Sequence, residues 1–115
     1  MNWFVAKLVF EVKNQENAYP QFDEQLRLIE AISADLALEM AYQFGLMQQD
    51  EIADGNKKAV VWKFVAVTEL ENIGEIGHGK EIHYKITEPE QAEQYLALVH
   101  AKATQLKNRK SKDQQ

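Results

Sequence analysis

Ala59-Val60-Val61-Trp62-Lys63-Phe64-Val65-Ala66-Val67-Thr68-Glu69-Leu70 is the stretch on which the fold turns. Side chains of an extended chain alternate, so Val60, Trp62, Phe64, Ala66 and Leu70 point one way and Val61, Val65 and Val67 the other. Both sets are mostly apolar. A strand apolar on both faces predicts an interior place in a sheet, where each face is covered by a packed layer or a partner.

Outward from this strand, Trp3–Val12 repeats the pattern. Phe4, Ala6, Leu8, Phe10 and Val12 form one wholly apolar face, and Trp3, Val5, Lys7, Val9 and Glu11 a mixed one. The polar run Lys13–Pro20 reads as a loop. A second strand is expected over Gln21–Ala31, with Phe22, Leu26 and Leu28 toward the core and Asp23, Gln25 and Arg27 toward water. Glu24 then falls on the apolar side. An edge position, or pairing with Lys7 or Arg27 across a small bulge, resolves this conflict; the sharper reading is a carboxylate with a raised pKa lining a pocket. Lys80–Thr87 alternates cleanly, with Ile82, Tyr84 and Ile86 inward, and predicts a fourth strand.

Two helices complete the pattern. Ser33 is placed as an N-cap, Leu36, Ala37, Met40, Ala41 and Phe44 recur at helical spacing, and Gly45 is expected to end the helix, with Leu46 making the closing apolar contact. The polar segment Gln48–Lys58, with Asp54-Gly55-Asn56 as its turn, leads back to the sheet. Thr87-Glu88-Pro89-Glu90 has capping-box spacing. A stripe of Ala92, Tyr95, Leu96, Val99, Ala103 and Leu106 predicts a last helix ending near Asn108. Between the third and fourth strands, Glu71–Gly79 carries Gly74, Gly77 and Gly79; without a following Gly-Lys-Ser or Gly-Lys-Thr, and with Glu71 and Glu75 opposing phosphate, it reads as a long hairpin connection.

The order strand, strand, helix, strand, strand, helix looks like a weak repeat of one unit, with Trp3 and Trp62 in comparable places. It predicts a two-layer α+β domain of topology ββαββα over residues 1–108. Its four-stranded antiparallel sheet has spatial order 2-1-3-4 and both helices on one face, and residues 109–115 form a basic flexible tail. The uncovered face would then show Trp3, Val5 and Val9 beside Val61, Val65 and Val67. An apolar patch of that kind calls for a cover. A twofold dimer packing sheet on sheet provides one, because identical patches meet by symmetry; a loop or the last helix folded across the face is the competing expectation.

The 115 residues suit one domain with its own core, 45% hydrophobic and 27% charged. With no Cys there is no disulfide, thiolate metal site or thiol nucleophile. No run approaches the length of a membrane span, and the Met1–Phe10 stretch lacks a basic leader, so a cytoplasmic location is expected. The net charge is −5. From Lys102 onward five basic residues face only Asp113, a local sum of +4, which leaves −9 on the preceding body. A body that acidic repels phosphate, which argues against nucleic acid as a partner.

No catalytic set, metal site or cofactor is read from the chain, and whether it is an enzyme stays open. Ser33 is used as a cap and Ser111 lies in the tail. Glu24 and Glu30 lie roughly 20 Å apart along one strand, too far for a shared acid–base step. His78, His83 and His100 fall on three different segments. Two functional classes are expected: a non-catalytic protein–protein interaction module acting as a homodimer, and a small-ligand binder or enzyme with a pocket framed by Glu24, Arg27, Trp62 and Tyr84. The second predicts a cavity with Glu24 at its wall; the first predicts a filled core and a broad contact at the sheet face.

Trp3-Phe4-Val5-Ala6-Lys7-Leu8-Val9-Phe10, Phe22-Asp23-Glu24-Gln25-Leu26-Arg27-Leu28-Ile29, Trp62–Leu70 and Gly79-Lys80-Glu81-Ile82 together resemble the bacterial family known as domain of unknown function 4288. The resemblance spans most of the chain up to the last helix. It implies a compact bacterial domain and transfers no activity and no site residues.

Overall fold

The computed structural model describes residues 1–14, 18–55 and 60–113, for backbone only at 50–55 and 110–113. It contains β1 (Asn2–Asn14), β2 (Gln21–Ala31), α1 (Ala34–Gly55), β3 (Val60–Gly74) and α2 (Ala92–Asp113). The chain forms two compact units, Met1–His83 and Tyr84–Gln115.

In the first unit β1 is the central strand of a three-stranded sheet, order β2-β1-β3, antiparallel to both neighbours. The expected four-stranded sheet of order 2-1-3-4 is thereby corrected. Lys80–Thr87 belongs to no strand, and β3, expected at the centre, lies at an edge. The physical reason is that alternation reports which way side chains point, not whether a neighbouring backbone supplies a ladder. β3 also runs on to Gly74, absorbing the start of the expected hairpin connection. Gly74 and Gly79 take φ of 74° and 80°, left-handed values that glycine adopts without steric cost. The weak repeat has no counterpart either, because among the described residues only one strand follows α1.

Register settles the faces, since directly paired residues share a side. Phe4, Ala6, Leu8 and Phe10 pair with Asn72, Leu70, Val67 and Phe64 of β3, and Phe4 also pairs with Ile29 of β2. Together with Ala31, Ala37 and Ala41, most of these side chains build the core, and Trp62, Val67 and Leu70 pack against it. The parity expected for β3 breaks at Val67. Register shifts at Trp3/Phe4, Lys7/Leu8 and Val9/Phe10 insert extra residues into β3, so Trp62 and Phe64 face the same side as Val67.

α1 is the helix that covers this face. Ser33 caps it as expected: its Oγ accepts from the Leu36 amide at 3.2 Å and its carbonyl from the Ala37 amide at 3.0 Å. Asp35 in the first turn complements the helix dipole. The buried seam of α1 is Ala37, Ala41 and Gly45, small residues one turn apart, which lets the helix settle onto the large rings below. Those rings interlock. Phe10 lies 5.9 Å from Trp62 and 5.5 Å from Phe64, and Tyr42 of α1 closes edge-on over Phe64 at 5.5 Å. Each fully buried side chain, such as Phe10, Leu8 or Ile29, is worth about 1.5–3 kcal/mol relative to exposure.

Gly45 does not stop the helix, which continues to Gly55. The ring of Phe64 occupies the space a β-carbon at position 45 would need, so this glycine serves close packing, not chain termination. Phe44, expected in the core, is 38% exposed. The helical run also takes in most of the Gln48–Lys58 segment; Asn56–Lys58, like residues 15–17 of the first loop, lies outside the described residues.

In the second unit, α2 begins at Ala92, with the Tyr95 amide donating to the Gln91 carbonyl at 3.2 Å. It therefore starts after the expected capping box at Thr87–Glu90, and it continues past Asn108 to Asp113. Gln114 and Gln115, the end of the expected tail, lie outside the described residues. Tyr95, Leu96, Val99 and Leu106 of its apolar stripe are exposed. Of the two helices expected on the sheet, α1 packs on it within the first unit, and α2 belongs to the second unit.

Candidate interaction face

β1 supplies the middle row of the sheet face opposite α1: Trp3, Val5, Lys7, Val9 and Glu11. β2 adds Glu30, Leu28, Leu26, Glu24 and Phe22, paired with these in turn. From β3 come Glu71, Glu69, Ala66, Lys63 and Val61, paired with Val5, Lys7, Val9, Glu11 and Lys13. Phe22 is 60% exposed and Leu26 and Leu28 are each 48% exposed.

The faces of β2 are thus the reverse of those expected. Phe22, Leu26 and Leu28 look away from α1, while Asp23, Gln25 and Arg27 lie on its side. There they form a chain. Gln25 Nε2 donates to Asp23 Oδ2 at 2.6 Å, Arg27 donates to Gln25 Oε1 through Nη2 at 2.8 Å, and the same guanidinium donates to Gln48 Oε1 of α1. An edge strand needs only part of one side for the core, and β2 gives it Ile29 and Ala31 at its C-terminal end. Counting apolar residues over the whole strand favours the wrong face. The signal in the sequence was Ile29 with Ala31, which carry the opposite parity to Leu26 and Leu28.

An ion cluster holds the centre of the open face. Lys7 Nζ lies 2.7 Å from Glu69 Oε2 and 3.5 Å from Glu24 Oε1. The hydrogen bond to Glu69 raises the Lys7 pKa above the usual lysine range and holds the Glu69 carboxyl below the usual carboxylate range. Glu24 therefore pairs with Lys7, the blander of its two expected roles. Lys13 lies 3.7 Å from Glu11, and His83 Nδ1 lies 4.0 Å from Glu71 Oε1.

Of the expected interface residues, Trp3, Val5, Val9 and Val61 lie on this face, with Val5 5% exposed and Val61 57% exposed. Val65 sits at the register shift opposite Val9 and Phe10 and is half exposed. Val67 packs against the core on the other side. The expected pocket residues do not share one wall: Glu24 is on the open face, Arg27 and Trp62 are on the α1 side, and Tyr84 belongs to the second unit. A concavity of about 460 Å³ at the sheet end, lined by Val12, Gln21, Phe22, Asp23 and Trp62, includes Trp62 alone of the four.

Among the described residues no group of three or more His, Cys, Asp and Glu side chains is placed to hold a metal ion. No described helix is long and apolar enough to cross a membrane.

Fold and face together define the class, an α+β protein whose antiparallel sheet is covered by a helix on one side. Within that class, a family model described as domain of unknown function (DUF4288) matches residues 3–84, and the chain belongs to that family. The match ends at the boundary between the two units. No curated protein and no solved structure matches the chain.

Proposed function

We propose that the chain is a non-catalytic protein–protein interaction module of the bacterial cytoplasm, acting as a homodimer through the open face of its sheet. The observation that carries this reading is the exposure of Phe22, Leu26 and Leu28 beside Trp3 and Val9 on the face opposite α1. Three strands of about eleven residues span on the order of 500 Å² in projection. Rugged side chains enlarge that figure toward the roughly 600–800 Å² per partner of a small specific interface. A second copy is the partner whose matching patch is guaranteed by symmetry.

The alternative, a small-ligand site, draws less support: of Glu24, Arg27, Trp62 and Tyr84 only Trp62 lines the concavity at the sheet end, and the rings of Phe10, Trp62, Phe64 and Tyr42 interlock between sheet and helix.

Light scattering coupled to size-exclusion tests the reading. The wild-type chain of 13.3 kDa is expected at twice that mass across the micromolar range. Leu26→Glu, which places a charge at a half-exposed site on the face, is expected at the single mass with an unchanged circular dichroism spectrum. A wild type that stays at the single mass refutes the proposal.

A further inference from the structure

In the second unit, α2 carries a surface that the sheet-face reading does not use. Ala92, Leu96, Val99, Ala103 and Leu106 follow one another at alternate steps of four and three residues, the spacing that keeps a seam on one side of a helix and fits it against a second helix. All five are exposed, and Tyr95 flanks them, exposed as well. A seam of this kind is built to be covered.

Charge along the helix selects the cover. Glu88, Glu90 and Glu93 lie just before its start or in its first turn, whereas Lys102, Lys107 and Arg109, with Lys110 and Lys112 beyond them in sequence, occupy its second half against Asp113 alone. An anionic surface such as a phosphate backbone would be repelled by the first half. A parallel second copy would set acid against acid and base against base. An antiparallel second copy places each acidic start beside a basic end and opposes the two helix dipoles.

We propose that α2 pairs with α2 of a second copy as an antiparallel two-helix seam, with Leu96 of one chain against Leu106 of the other, Val99 against Ala103, and Glu93 beside Lys107. Twofold symmetry makes each of these contacts occur twice. Lys102 meets its own mate near the axis, where its long stem carries the charged head to water. This pairing goes beyond the sheet-face dimer and does not rest on it. With only these few apolar layers it is weak, with a dissociation constant on the order of 0.1–1 mM, well above the micromolar range in which the sheet face acts.

The chain has no Cys, so Leu96→Cys and Leu106→Cys each introduce a single thiol. Mixed in a glutathione redox buffer, the two full-length variants are expected to form the mixed disulfide beyond the share that chance pairing gives, because the seam sets position 96 against 106 while the two copies of position 96 lie about 15 Å apart. Sedimentation equilibrium of the Leu26→Glu chain, which takes the sheet face out of play, is expected to show mass rising toward the dimer above roughly 0.1 mM. Adding Glu93→Lys is expected to weaken that association roughly tenfold, Glu93→Lys with Lys107→Glu to restore it, and sodium chloride to weaken it, with an unchanged circular dichroism spectrum throughout. Homodisulfides at position 96 that outnumber the mixed form overturn the proposal, as does a charge swap that fails to restore pairing. A Leu26→Glu chain that stays at the single mass, with no mixed disulfide from the two thiol variants, also overturns it and leaves the sheet-face dimer to its own test. A wild type that lacks the sheet-face dimer yet yields the mixed disulfide retires that reading and keeps this one.

Discussion

At Gly45 the ring of Phe64 lies where a β-carbon would have to go, and that contact sets the distance between α1 and the sheet. Alanine is the better helix former by about 1 kcal/mol, so propensity alone would have Gly45→Ala stabilise the fold. Overpacking works against it at about 1–3 kcal/mol. A net loss is expected, read as a lower urea midpoint, and a gain would refute the packing argument. Pairing Gly45→Ala with Phe64→Leu is expected to recover part of the loss. At Lys7 and Glu69 the signs differ. The depressed Glu69 carboxyl contributes stability present above the ordinary carboxylate range and lost as pH falls through its lowered value. The raised Lys7 amine contributes stability present below the ordinary lysine range and lost as pH rises through its raised value. The difference between wild type and Lys7→Met is therefore expected to be widest near neutrality and to narrow at both extremes. Denaturant midpoints measured across the pH range check this.

Between elements, α1 is joined to the sheet by two neighbouring glutamines as well as by its small-residue seam. Gln48 accepts from Arg27 of β2, and Gln49 Oε1 accepts from the Phe64 amide of β3 at 2.7 Å, next to a register shift. Bulges interrupt a ladder and leave backbone groups in want of partners. Gln49→Ala removes the acceptor from a part-buried amide, with an expected cost of about 1 kcal/mol and faster hydrogen exchange at Phe64. Slow exchange in the variant would mean that another group holds that proton. None of this was legible in the sequence, where Gln48 and Gln49 read as the start of a polar connection. At this scale Lys80–Thr87 is also instructive: its alternation is as clean as that of β1, yet it belongs to no strand.

For the whole molecule, the family match over residues 3–84 and the first compact unit, Met1–His83, mark the same boundary. The buried core of the chain, from Phe4 to Phe64, lies inside that unit. A chain ending at Tyr84 is expected to keep its sheet signal and to unfold in one cooperative transition. Loss of both would place essential packing in the remainder. The proposed dimer belongs to this scale too, because it depends on which way an entire sheet turns the side opposite α1.

Read without coordinates, the chain determined its class, the positions of β1, β2 and the start of α1, and the wholly apolar face of β1, because period-two alternation and a serine cap are local facts of covalent geometry. It also offered Lys7, beside Arg27, as a partner for Glu24. Only the tertiary structure decided the number of strands, the sides of β2 and the role of Gly45. Each of these depends on which distant backbone comes alongside. A ladder partner, a shift of register or a ring resting on a glycine is a relation between segments far apart in the chain, and no local pattern encodes it.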